Sequence, residues 1–178
     1  MTSMTADERE VLCPVDAKVF AANEHDFGPY RVRKQVEHFS RPFIKWRRRD
    51  LPPDGRSVFQ VTSGGQDATC VIESADPFPV EVRRGISALV ENEAVNISKR
   101  WLQPVVIVGS GVDWVLRRRG PFGWRLCRST DKSLLAAMRY GSLSVLSDLE
   151  PCEAALLIAV VEADIPSAVS PFAWLRGL

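Results

Sequence analysis

The run Pro151-Cys152-Glu153-Ala154-Ala155-Leu156-Leu157-Ile158-Ala159-Val160-Val161-Glu162-Ala163-Asp164 constrains the fold more than any other stretch of the chain. Asp148 stands before it as a cap, proline falls in its first turn, and its first half is rich in helix formers. The pattern predicts a helix of about 13 residues, roughly 20 Å long. Apolar side chains cover almost its whole circumference, whereas a surface helix keeps a polar face. A membrane span needs roughly 20 apolar residues, and Glu153, Glu162 and Asp164 interrupt this run well short of that. The helix therefore needs enclosure by the rest of its own chain.

The rest of the chain is written in short β-like runs. Val58 to Thr62 stops at Ser63-Gly64-Gly65, Ala68 to Glu73 at Asp76-Pro77, and Val80 to Arg83 at Gly85. Val105 to Val108 leads into Gly109-Ser110-Gly111, and Val112 to Arg118 and Trp124 to Arg128 flank Gly120-Pro121-Phe122-Gly123. Ser133 to Tyr140 and Ser142 to Leu146 alternate in the same way, with a short helix over Lys132 to Tyr140 as the alternative on propensity. Within Trp124 to Arg128, period-two alternation puts Trp124, Leu126 and Arg128 on one face and Arg125 and Cys127 on the other. Upstream, the first 56 residues are broken by five prolines and read as a tail with one or two short strands, Phe43-Ile44-Lys45-Trp46-Arg47 among them.

Many strands followed by one helix that must be buried all round imply a sheet curled around that helix, an arrangement that also removes exposed strand edges. The stretch from Asp113 to Ile165 resembles the last part of the Tubby carboxy-terminal-like superfamily, which includes the LURP-one-related and phospholipid scramblase proteins. The residues that carry the likeness are Trp114-Val115-Leu116-Arg117, Trp124-Arg125-Leu126, Leu143-Ser144-Val145 and Glu153 to Glu162. The resemblance implies a closed antiparallel β-barrel of about twelve strands around a hydrophobic C-terminal helix. A β-sandwich, or an α+β sheet with one packed helix, is the competing fold. The expected organisation is an irregular segment over 1–30, a barrel domain over 31–166 and a tail over 167–178.

Catalytic chemistry has little to stand on. His25 and His38 lie in the irregular amino-terminal region without metal-ligand spacing. The four cysteines contain no Cys-x-x-Cys pair and read as small buried hydrophobes of a reducing compartment. No nucleophile elbow or phosphate loop is present, and Gly109-Ser110-Gly111 reads as a hairpin turn. Neither a catalytic set, nor a metal site, nor a cofactor is expected. Met1 to Glu10 is polar and acidic, unlike a secretory leader, so the expected setting is cytoplasmic, with peripheral attachment to a membrane.

Basic clusters are the functional signal. The whole chain carries a net charge of only +1, so no global field drives it onto a polyanion. Locally, Arg31, Arg33, Lys34, Arg41, Lys45, Arg47, Arg48, Arg49 and Arg56 exceed Glu37, Asp50 and Asp54 by six. A second cluster, Arg117, Arg118, Arg119, Arg125 and Arg128, flanks the Gly120-Pro121-Phe122-Gly123 turn. Guanidinium forks suit phosphate. The sites expected for an anion or lipid headgroup are Arg117, Arg118, Arg119, Arg125, Lys45, Arg47, Arg48 and Arg49, in a non-catalytic module whose partner is an anionic membrane surface or a protein. The alternative is a small-ligand carrier or an enzyme with a barrel-mouth pocket, bringing Asp113, Glu150 or His38 together. Nucleic-acid binding with stacking on Trp46 and Trp124 is the weakest reading, because Trp124 alternates as a core residue does.

Overall fold

The computed structural model describes residues 12–16, 18, 22–38, 55–74, 86–99, 104–119 and 123–162. They form twelve strands and one helix. The first strands are β1 (Leu12–Val15), β2 (Glu24–Phe27), β3 (Tyr30–His38), β4 (Gly55–Ser63), β5 (Gln66–Ser74) and β6 (Ile86–Val90). Then follow β7 (Glu93–Lys99), β8 (Val105–Gly109), β9 (Val112–Arg118), β10 (Gly123–Arg128), β11 (Leu134–Arg139), β12 (Ser142–Leu146) and the helix α1 (Pro151–Glu162). A single sheet holds all the strands in the order β1-β12-β11-β10-β9-β8-β7-β6-β5-β4-β3-β2, every pair antiparallel. It curls into a nearly closed barrel.

Strand alternation gives the barrel two ends. At the lower end, where α1 begins, tight turns join the strands: Gly64-Gly65, Glu91-Asn92 and Ser110-Gly111 each have positive φ at both central residues. That is the type I′ conformation, whose twist matches paired strands. The upper end carries the β9–β10 connection and the Tyr140-Gly141 turn, with φ of 50° and 83°. His38 and Gly55, paired across β3 and β4, also lie there.

The sheet ends β1 and β2 meet at a seam closed by side chains. The Tyr30 hydroxyl on β3 donates to the Leu146 carbonyl at the end of β12 at 2.5 Å and accepts from the Leu149 N–H at 3.0 Å. Gly28, with φ of 59°, lets the β2–β3 turn approach closely, since a Cβ there would come 2.9 Å from Val145 Cγ1. Burial pushes the Tyr30 phenol up to about 12. A raised folded-state value means that its contribution is complete below the ordinary tyrosine value near 10 and is lost as pH rises from about 10 to 12, roughly 2–3 kcal/mol in all. Tyr30→Phe is expected to be less stable by about 1–3 kcal/mol at neutral pH and to lack this alkaline loss. Urea unfolding at pH 8 and pH 11 checks both; an unchanged wild-type midpoint at pH 11 would contradict the burial of the phenol, and a Tyr30→Phe variant as stable as wild type at pH 8 would contradict the seam bond.

Inside the curl, Ala154 to Val161 are all buried, six of the eight at 0% exposure. Side chains such as Phe27, Phe59, Trp114, Leu116 and Leu126 supply the surrounding wall. The helix runs closest to β4 and β5, an approach that its three alanines permit. Its polar termini reach different parts of the sheet. Glu153 holds Arg128 at the lower end of β10 at 3.0 Å. Glu162, its side chain 1% exposed, pairs with His25 Nε2 on β2 and with Lys34 Nζ on β3, the latter at 3.0 Å. His25 Nδ1 faces the Ala22 carbonyl at 3.1 Å, which accepts only, so that nitrogen is the donor.

The expected barrel and its buried helix are therefore present, and the sandwich alternative is not. Pro151 takes the first helical position, where its missing N–H costs nothing, and the Ala154 N–H bonds the Glu150 carbonyl. Glu150, not Asp148, is thus the residue at which the helix opens. The irregular segment expected over 1–30 contains β1 and β2, so strand pairing begins before residue 31. The Phe43–Arg47 and Val80–Arg83 strands, and the tail over 167–178, lie outside the described residues. In β11 strict alternation fails: the register shifts between Leu126 and Cys127, so Leu135 and Ala136 are both buried.

Candidate functional site

The outer face of β9, β10 and β11 at the upper end gathers arginines from separate parts of the sequence. On β9, Trp114 and Leu116 are 1% exposed and point inward, so Arg117 points out. Register places Arg117 directly opposite Arg125 on β10. One step nearer the rim, the Arg119 N–H donates to the Gly123 carbonyl at 2.8 Å, and Gly123 pairs with Arg139 on β11. A Cβ on Gly123 would come 2.8 Å from the Arg119 carbonyl and 2.9 Å from that of Met138. Only glycine fits there, and its close approach ties the end of β9 to β11.

Like charges placed directly across a strand pair destabilise a sheet. Among the described residues, none of Arg117, Arg119 and Arg125 meets a carboxylate. The Arg139 guanidinium lies 5.4 Å from the centre of the Tyr140 ring, and Tyr140 is 78% exposed at the tip of its turn. Among the described residues the site is an exposed surface of positive charge.

Of the residues expected from sequence, Arg117, Arg119 and Arg125 come together here. Arg118 is separated from them by strand parity: it is half-buried on the inward face, opposite Trp124. Arg128 leaves the cluster as well, since Glu153 holds it. Lys45, Arg47, Arg48 and Arg49 lie outside the described residues. Of that first cluster, Arg31 and Arg33 pair with Glu24 at 3.0 and 3.8 Å, and Lys34 pairs with Glu162. Arg139 and Tyr140 are additions that sequence reasoning missed; alternation gave Arg139 a face, but only the cross-strand register makes it a neighbour of Arg119.

The residues named for the alternative pocket divide between the two ends of the barrel. Asp113 and Glu150 are exposed at the lower end, whereas His38 pairs with Gly55 at the upper end. A depression of about 630 Å³ beside β2 is bordered by Asp16, Glu24, His25, Asp26 and Arg31. Both ring nitrogens of His25 are already engaged there, by the Ala22 carbonyl and Glu162. Trp124, 7% exposed, is core and not a stacking platform; Trp46 lies outside the described residues. Burial raises the Cys70 thiol to about 12, which makes it a wall residue and not a nucleophile. Among the described residues no group of three or more potential ligands could hold a metal ion, and no helix is long and apolar enough to cross a membrane.

No family model, no curated protein and no solved structure matches the chain.

Proposed function

We propose that the protein is a non-catalytic, Tubby-like binding module that docks on anionic phospholipid headgroups through Arg117, Arg119, Arg125 and Arg139. The carrying observation is the Arg117–Arg125 cross-strand pair, a like-charge arrangement without a carboxylate among the described residues. Such a pair costs stability in isolation and is relieved when a phosphate bridges the two guanidinium forks. Tyr140 supports a lipid surface in particular: an aromatic ring with a polar tip, exposed beside Arg139, suits the headgroup layer. The likeness of Asp113 to Ile165 to a superfamily with phosphoinositide-binding and membrane-associated members points the same way.

Co-sedimentation with phosphatidylcholine vesicles containing phosphatidylserine tests the reading. Each arginine near such a surface contributes about 1 kcal/mol, so the charge-reversed pair Arg117→Glu/Arg125→Glu is expected to bind at least a hundredfold more weakly. Wild-type retention is expected to collapse as salt rises from about 0.1 M to 1 M, where the screening length falls from about 10 to 3 Å. Retention indifferent to both changes, or none on these vesicles, would refute the proposal.

A further inference from the structure

The positive surface is one pole of the molecule. At the lower end Asp67, Glu91, Glu93 and Asp113 sit beside the tight hairpin turns, and Asp131, Asp148 and Glu150 occupy the last two connections; all are exposed. Asp67, Glu93 and Asp131 accept hydrogen bonds from Thr62, Ser110 and Ser133. Those donors are neutral; the cations of this end among the described residues are the exposed Lys132, Arg31, which meets Glu24 and Asp26, and Arg128, which Glu153 holds, so acid remains in excess. Among the described residues charge is therefore divided along the barrel axis, with acid predominating where α1 begins and base where Arg119 and Tyr140 lie.

We infer that the barrel meets the membrane end-on, upper end toward the lipid, with the acidic rim repelled from it; this rests on the docking surface proposed above. From Asp113 on β9 to Arg117 is four residues, about 13 Å, and to Arg119 just beyond the strand six, about 20 Å, at roughly 3.3 Å per residue. The screening length is about 8 Å at physiological ionic strength. Held upright, the acidic rim lies about one and a half screening lengths beyond Arg117 and about two and a half beyond Arg119, and its repulsion falls roughly five- to tenfold. Laid on the outer face of β9–β11, the barrel brings the carboxylates at the lower ends of those strands, Asp113 and Asp131, to the same anionic surface as the arginines and offsets part of their attraction.

Two sets of exposed amide substitutions distinguish the orientations on phosphatidylserine-containing vesicles. The upper-end triple Arg117→Gln/Arg119→Gln/Arg139→Gln is expected to weaken binding about a hundredfold. The lower-end triple Glu91→Gln/Glu93→Gln/Asp113→Asn retains the side-chain acceptors and is expected to change binding by less than about twofold. Tightening by about tenfold or more in the lower-end triple would overturn the end-on orientation while leaving the docking surface in place. Wild-type protein that fails to sediment with the vesicles overturns the docking surface itself, and the orientation with it.

Discussion

Glu162→Ala is expected to destabilise the protein by about 3–5 kcal/mol, a large part of the 5–15 kcal/mol that holds a typical domain folded. The carboxylate is 1% exposed and lies between His25 Nε2 and the Lys34 ammonium, itself 13% exposed. Removing it takes from the Lys34 ammonium and from His25 the buried carboxylate they share, in a site from which water is largely excluded. The last turn of α1 also loses its ties to β2 and β3. Urea unfolding measures the loss. The double variant Glu162→Ala/Lys34→Met is expected to regain part of it, because the largely buried ammonium that the carboxylate balanced goes too. A single variant within about 0.5 kcal/mol of wild type would show that the carboxylate does not hold the helix in place.

Leu157→Ala is expected to cost about 3–5 kcal/mol. The side chain has 0% exposure at the middle of α1. Its loss combines the transfer free energy of three carbons with a cavity that a hydrogen-bonded cylinder of strands cannot collapse to fill. Conversely, Ala159→Leu is expected to cost about 1–3 kcal/mol by overpacking, because the alanines of α1 allow its close approach to β4 and β5. Thermal or urea unfolding of the two variants gives both values. A tolerated Ala159→Leu would place open space where the barrel wall is described.

The helix was legible because an apolar residue at every position from Ala154 to Val161 admits only one environment. Strands β8, β9, β10 and β12 were legible because their alternation ends at glycine-rich turns. The pair β6 and β7 was not: Glu91-Asn92 adopts positive φ of 48° and 70° without a glycine, so the connection lacks the usual turn signature. Strands β1 and β2 were hidden for a different reason. Pro14 lies within the first, and the second reads Glu-His-Asp-Phe, residues suited to blunting the two edges of an incompletely closed sheet. In the candidate site the arginine runs marked the region, but a run is a one-dimensional feature. Strand parity removed Arg118 from the outer face, a carboxylate on α1 took Arg128, and register brought in Arg139.

An aspartate scan of Ala154 to Val161, one position at a time, with the folded soluble fraction and urea midpoint as readouts, tests most directly whether the helix is enclosed by the sheet. Enclosure predicts that none of the eight positions accepts the charge, because each variant would carry a carboxylate into an interior with no water to receive it. A helix lying on an open sheet would instead tolerate aspartate at positions three or four apart along one face, and that periodic tolerance would contradict the account.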